Sequence, residues 1–500
     1  MIVRPRLMDV RIIGLYVGKV TVGVGLLMLV PLAVGVFFRE WNACLGFVVG
    51  IGSCFVVGFG LQAVCQTQRD LSWMHGMIVA SFSWLVAMVL GAVPHYLSGH
   101  FGSFLDACFD LMSGYTTTGL YLLQDLDHIS NALNMWRHLL TYAGGQGIIV
   151  VALTFLVKGS AGAFKMYVGE GKDEQLMPNV VQTARAIWLV SLTYLVIGSL
   201  TLWAAGVFIG MPAVRAFFHA VWVFMGAWST GGFAPQSLNI GYYHSGLYEI
   251  ITIVFFIIGS FNFAVHWAVW TGNRREIYRN IETISFFITL MLTLTIAAVG
   301  LQKAGVYPDA IAVFRKVFYQ VSSGHTTTGF GTIYARQFVV QWGPLGMMGT
   351  IIAMAIGASA CSTGGGFKGL RMGITFKGLI QDVRALMNPG SAVTPAWFHH
   401  IKDTMLTDSQ VRAAMVIILS YIGIYAFGTV LGMYYGYDVM SSMFDSVSAA
   451  SNTGLSAGLT SPSMPDAMKV TYIAQMWMGR LEFMSIFALV GFFIAAVRGK

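Results

Sequence analysis

Charge is scarce in this chain. Asp, Glu, Lys and Arg make up 10% of 500 residues while 56% are hydrophobic, and the mean hydropathy is +0.70. A soluble core of ordinary proportions cannot hide so much apolar surface, so an integral membrane protein is implied. Cysteine is scarce too: Cys44, Cys54, Cys65, Cys108 and Cys361 lie in or beside apolar stretches without metal-ligand spacing and read as small hydrophobes. No basic stripe interleaved with aromatics occurs, so the net charge of +8 calls for no nucleic-acid partner. There is no soluble domain and no phosphate-binding glycine loop, so nucleotide control would have to come from another protein, and no cofactor is expected on this chain. An intramembrane hydrolase built on Ser359 or Ser362 fails for want of a base, because no histidine lies in the neighbouring span. His399 and His400 fall in a polar loop and are expected to be a solvated surface pair.

What is present is length of apolar chain. Runs near the roughly 20 residues that cross a hydrocarbon core occur at 12–38, 42–64, 73–97, 139–157, 186–209, 247–271, 284–301, 345–356 with a continuation, 413–434 and 470–497. Ten crossings are therefore expected. The basic residues before the first run resemble a secretion signal, but its length and the second span behind it favour a retained anchor. With the N-terminus placed inside, nineteen Lys and Arg fall in inner segments. Eight fall in outer ones: Arg39, Arg137, Arg215, Lys303, Arg315, Lys316, Arg336 and Lys469. The bias puts both termini in the cytoplasm.

Between the spans one short segment recurs four times: Tyr115-Thr116-Thr117-Thr118-Gly119, Trp228-Ser229-Thr230-Gly231-Gly232, His325-Thr326-Thr327-Thr328-Gly329 and Ala450-Ser451-Asn452-Thr453-Gly454. Aligning the final glycines brings Phe109, Trp222, Tyr319 and Phe444 into register ten residues upstream. Phe104, Phe217, Phe314 and Val439 align fifteen upstream, and Leu120, Phe233, Phe330 and Leu455 follow the glycines. Four copies with matched bulky and small positions are an internal repeat. The apolar stretches before them, 104–112, 213–224, 311–321 and 440–448, are too short to cross and long enough for re-entrant half-helices. Irregular backbone at that depth survives only in protein or beside water, so four hairpins around one axis would enclose a pore. The expected fold is an all-α membrane protein. Two leading helices (1–70) precede repeats at 71–160, 184–275, 281–385 and 409–500, with pore loops at 115–120, 228–233, 325–330 and 450–455.

A dehydrated monovalent cation needs several oxygens without strong negative charge, and backbone carbonyls provide them. Glycine opens conformations that aim carbonyls inward. Gly119, Gly232, Gly329 and Gly454 would form one ring, with the carbonyls of Thr117, Thr118, Thr230, Gly231, Thr327, Thr328, Asn452 and Thr453 around it. No carboxylate occurs in the four segments, which argues against a calcium-type site. Asp110 and Asp445, nine residues before their glycines, are either a negative field at the mouth or solvated half-helix residues. His325 is expected to pack or hydrogen-bond behind the ring. The run 357–366 ends in Ser362-Thr363-Gly364-Gly365-Gly366 and reads either as a small-residue packing patch or, by preference, as a broken helix beneath the pore. Arg480, deep in the last span, costs about 2.5–3.5 kcal/mol on insertion scales and needs a partner. Pairing with Glu482, two residues away, is poor, and Arg480 is expected against the loop at Gly364, Gly365 and Gly366 as an electrostatic barrier.

These residues resemble the superfamily of K+ transporters that includes the Trk, Ktr and HKT proteins, and within it the membrane subunits of the TrkH/TrkG branch. The resemblance covers nearly the whole chain, including Gly479-Arg480-Leu481-Glu482 and the stretch Lys172-Asp173-Glu174-Gln175-Leu176-Met177-Pro178. It implies K+ as the transported ion, uptake across a bacterial inner membrane, a homodimer, a cytosolic TrkA-like nucleotide-binding regulator, and gating by the broken third-repeat helix and the fourth-repeat arginine. The second segment, Ser229-Thr230-Gly231-Gly232, departs from the Asn-Ala-Gly variants frequent there, which keeps a Na+-permeable or Na+-coupled transporter as the alternative.

Overall fold

The computed structural model describes residues 6–499 apart from 70, 124, 148–165, 167, 169–179, 308 and 390–394. In hydrocarbon the backbone must satisfy its own hydrogen bonds, and the apolar runs accordingly become helices. Seven described helices are long and apolar enough to cross a membrane: Leu7–Phe38, Trp41–Val64, Trp73–Leu97, Gln182–Phe208, Ile281–Ala304, Ala335–Ile356 and Asp408–Tyr434. The first two pack closely because glycines face each other: a Cβ on Gly18 would sit 2.7 Å from the Gly58 carbonyl.

Two further spans, expected to be continuous, are broken. Gly246–Gly259 and Phe263–Trp270 meet at 97°, and Asp466–Arg480 and Met484–Arg498 meet at 114°. In the first, Asn262 restarts the chain as an N-cap, accepting from the Ala264 amide at 2.8 Å. In the second, Glu482 and Phe483 take left-handed φ of 52° and 68°, which a helix cannot contain. The break foreseen after Ile356 is present, with Gly357 at φ 73°. Asn131–Gln146 stops at Gly147, φ 102°, and the rest of the crossing expected at 139–157 lies outside the described residues. The helix end at Gly147 and the breaks of the other three repeats thus fall at the same point after the half-helix, whereas the sequence pointed to one break.

Four half-helices precede the glycine segments: Phe104–Tyr115, Ala213–Trp228, Tyr319–His325 and Val439–Ala450. The third is preceded by a π-helical turn, Val313–Phe318. The register read from sequence has a physical basis: Phe109, Trp222, Tyr319 and Phe444 are buried, whereas Phe104, Phe217, Phe314 and Val439 are exposed on the outer surface. Leu120, Phe233, Phe330 and Leu455, which follow the glycines, are buried. A two-stranded antiparallel hairpin, Trp397–His400 with Lys402–Met405, is the one sheet among the described residues.

Candidate ion pathway

Each half-helix ends the same way. The amide of Thr118 donates to Ser113 O at 2.8 Å and that of Thr117 to Gly114 O at 3.0 Å. Gly231 and Thr230 do so to Gly226 and Ala227, Thr328 and Thr327 to Ser323 and Gly324, and Thr453 and Asn452 to Ser448 and Ala449. These are Schellman terminations, whose left-handed residue is normally Gly. Here it is Thr117 (φ 57°), Thr230 (48°), Thr327 (53°) and Asn452 (56°). A left-handed β-branched residue costs about 1–2 kcal/mol, and such strain persists where surrounding structure over-determines it. The sequence placed these four among the carbonyls around the ring but gave no sign of their left-handed backbone. Their effect is to turn the amides back into the half-helices.

The glycines close a ring. A Cβ added to Gly119 would lie 2.7 Å from Gly231 O. On Gly232 it would run into Thr328 O, on Gly329 into Thr453 O, and on Gly454 into Thr118 O. Each glycine therefore leans on the carbonyl preceding the glycine of the next segment, in the order first, second, third, fourth, first. All four have positive φ, from 65° to 93°. Thr117, Thr118, Gly119, Thr230, Gly231, Gly232, Thr327, Thr328, Gly329, Asn452, Thr453 and Gly454 are thus brought together. Above them opens a cavity of about 470 Å³ lined by Gly119, Gly329, Gly454 and the chain that follows each.

Below the ring runs the loop between Ile356 and Gly369, closed on itself by the Ala358 amide to Gly365 O (3.2 Å) and the Lys368 amide to Ile356 O (2.8 Å). Thr363 is its hub. Its carbonyl accepts from Thr117 Oγ1 at 3.1 Å, and its hydroxyl lies 3.0 Å from Thr230 Oγ1 and donates to Gly259 O at 2.9 Å. The Gly365 amide donates to Thr327 Oγ1 at 2.9 Å, and a Cβ there would collide with Ser451 O of the fourth segment. The loop so touches all four segments, which excludes the simple packing-patch reading. Arg480 donates to Thr363 O at 2.5 Å, Gly144 O at 2.7 Å and Gly145 O at 3.1 Å. It meets the loop at Thr363, one residue before Gly364, Gly365 and Gly366.

Asp110 and Asp445 are neither at the mouth nor solvated. Asp110 is fully buried, accepting from Arg137 Nε at 3.0 Å and lying 3.0 Å from His95 Nε2. Asp445 accepts from the Ala457 and Thr460 amides at 2.6 and 2.9 Å. Gln320, at the same position, accepts from the Thr332 amide at 3.3 Å. The shared position clasps neighbouring chain onto the half-helix. Arg137, counted with outer-loop charges, is a buried helix residue, and Lys469 likewise pairs with Asp106 at 2.7 Å. His325 Nε2 is 2.7 Å from Thr289 Oγ1 behind the ring. Glu482 pairs with Lys368 at 2.6 Å and with Arg371, tying the exit of the loop to the break in the last span.

His399 and His400 are not a solvated pair. His399 bridges Glu276 (3.0 Å) and Asp403 (2.7 Å), and His400 Nδ1 is 3.2 Å from Asn280 Oδ1. Burial lowers the His399 pKa, but hydrogen bonds to Asp403 and Glu276 outweigh it and leave it raised. Burial raises Glu276, and hydrogen bonds from His399, Asn280 and the Ile401 amide leave it lowered. Close by, Glu282 accepts from the Ala360 amide of the loop at 2.6 Å. The five cysteines are free thiols, and no cluster of metal-ligating side chains occurs among the described residues.

Comparison with known proteins finds that residues 46–494 match the family model described as TrkH, cation transport protein. An uncharacterised cation transporter of Methanocaldococcus jannaschii is 28% identical over 93% of this chain and 92% of the relative. The Trk system potassium uptake protein TrkH of Escherichia coli K12 is 27% identical over 96% of this chain and 98% of its own. The crystal structure of the potassium transporter TrkH from Vibrio parahaemolyticus superposes with a TM-score of 0.79 at 25% identity, covering 96% and 98% of the two chains.

Proposed function

The chain belongs to the TrkH family of cation transport proteins, transporters rather than enzymes, and from that premise we propose that it takes up K+ across a bacterial inner membrane. The observation that carries this reading is the closed ring of glycines with amides turned away into the half-helices. Carbonyls left facing the axis replace a hydration shell without a charge that would trap the ion. Half-helix C-termini add their partial negative charge. K+ is chosen over other monovalent cations because relatives across nearly the full length are potassium uptake proteins by name.

The loop holding Thr363, Gly364, Gly365 and Gly366, with Arg480, forms the gate. It lies across the pathway, and Arg480 opposes a cation entering the space it shares with the loop. Both termini are cytoplasmic, the chain is a homodimer, and a cytosolic TrkA-like subunit supplies nucleotide control. Its docking surface includes the exposed arginines Arg274, Arg275 and Arg279; of the other basic inner stretches, Lys165 and Lys172 lie outside the described residues, and the stretch from Lys368 to Arg384 begins with Lys368 and Arg371 already paired with Glu482. A Na+-permeable variant of the same pathway is favoured by one feature. The second segment's Gly231 carbonyl accepts from the Phe233 amide at 2.8 Å and its Gly232 carbonyl from Asn239 Nδ2 at 3.2 Å, so it offers an ion less. K+ against Na+ flux in liposomes, with and without a proton gradient, decides. Flux of Na+ equal to K+ overturns the K+ reading.

A further inference from the structure

The third repeat carries adjacent cations, Arg315 and Lys316, in the π-helical turn Val313–Phe318. Single-turn π segments cluster at functional sites because the extra residue re-aims side chains, and the other three half-helices have none. The two cations meet different fates. Arg315 forms a two-point pair with Glu249, at 2.9 Å and 2.7 Å. Among the described residues Lys316 makes one hydrogen bond, from Nζ to Thr332 O at 2.5 Å, and no ion pair. It lines the same cavity as Gly119, Gly329 and Gly454. Among the described residues lining that cavity there is no carboxylate; the nearby Asp445 is spent behind the wall on Ser456, Ala457 and Thr460. The equivalent position in the first repeat is Asp106, held by Lys469.

We infer that Lys316 is a fixed cation in the outer vestibule that sets the apparent affinity for entering K+. The inference rests on the potassium reading above. A tethered ammonium repels an incoming monovalent ion and lowers its local concentration above the ring, an effect that salt screens. It acts on capture of the ion and leaves the ring below unaltered, so it belongs to KM and not to maximal flux.

The test uses the full chain in liposomes, with K+ flux measured over external K+ at low and high ionic strength set by an impermeant organic salt. Lys316→Gln should lower the apparent KM about two- to fivefold at low ionic strength with maximal flux unchanged, the scale of one unit charge about 4–10 Å from the ion in water and well inside the Debye length. The difference should shrink at high ionic strength, and Lys316→Arg should behave as wild type. The wild-type protein gives a check independent of any variant, because its own KM should fall as salt screens the ammonium. A wild-type KM that rises or stays flat with salt overturns the inference. So does a Lys316→Gln variant with unchanged KM and altered maximal flux or K+ over Na+ ratio, which marks Lys316 as a clamp on Thr332. A wild-type protein that moves no K+ overturns the potassium reading instead.

Discussion

Arg480 holds Thr363: the guanidinium donates to its carbonyl at 2.5 Å while donating to Gly144 O and Gly145 O on the opposite helix. One side chain of the fourth repeat thereby pins the third repeat's loop against the first. Arg480→Ala, or deletion of Gly364 to Gly366, should raise basal cation flux in properly inserted protein. Lower flux would show instead that these residues only support the fold.

Thr327 provides a subtler probe, since its hydroxyl accepts from the Gly365 amide. Thr327→Val keeps the branched shape but strands a buried donor, a loss of about 1–3 kcal/mol. Basal flux should rise without a change in ion preference. A variant indistinguishable from wild type would mean that the loop is held by its other contacts alone.

Ring closure predicts that side chains are not tolerated at the glycines. Serine at Gly119 or Gly454 pushes Gly231 O or Thr118 O aside, and overpacking of this kind costs about 1–3 kcal/mol. K+ over Na+ discrimination should fall roughly tenfold or more. Unchanged selectivity after substitution at each of the four glycines would sink the ring as the selective element.

The buried Arg137–Asp110 pair should matter to stability when split. Asp110→Asn leaves a guanidinium without its counter-charge, a loss of about 3–5 kcal/mol, while the double change Asp110→Leu, Arg137→Met should lose less. Thermal melts of detergent-solubilised protein decide. Equal losses from the single and double variants would argue against a charge-pair origin.

The hairpin at 397–405 should respond to pH. His399, raised in the fold, contributes fully below its unfolded value near 6.5 and loses that contribution as pH climbs through its higher folded value. Glu276, lowered in the fold, contributes above 4.5 and loses that as pH falls through its folded value. Protection of the hairpin amides, measured against their intrinsic exchange rates at each pH, should be greatest between these limits, and His399→Gln should flatten the alkaline limb. Protection factors that do not change with pH in the wild type would contradict this.

The sequence alone determined the membrane class, the four repeats, the ring glycines and the third-repeat break. These depend on composition and on local backbone freedom, which are properties of residues in order along the chain. The recurrence at Phe109 and Phe104 was legible for the same reason, because a repeated half-helix repeats its faces, while which of the two is buried came from the packing. Only the tertiary structure decided what each charge meets. Asp110 read as a mouth charge or a solvated half-helix residue until Arg137 closed on it, and His399 looked solvated until Glu276 was beside it. Thr117, Thr230, Thr327 and Asn452 are unremarkable as letters, and their left-handed backbone is imposed by the Schellman ends and by the loop contacts around them. The breaks at 260–262 and 481–483 carried little signal beyond an asparagine or a mid-span charge, because what terminates those helices is partnership with chain far away in sequence. Partnership across the fold is an energy between residues brought together by packing, and no order of letters states it in advance.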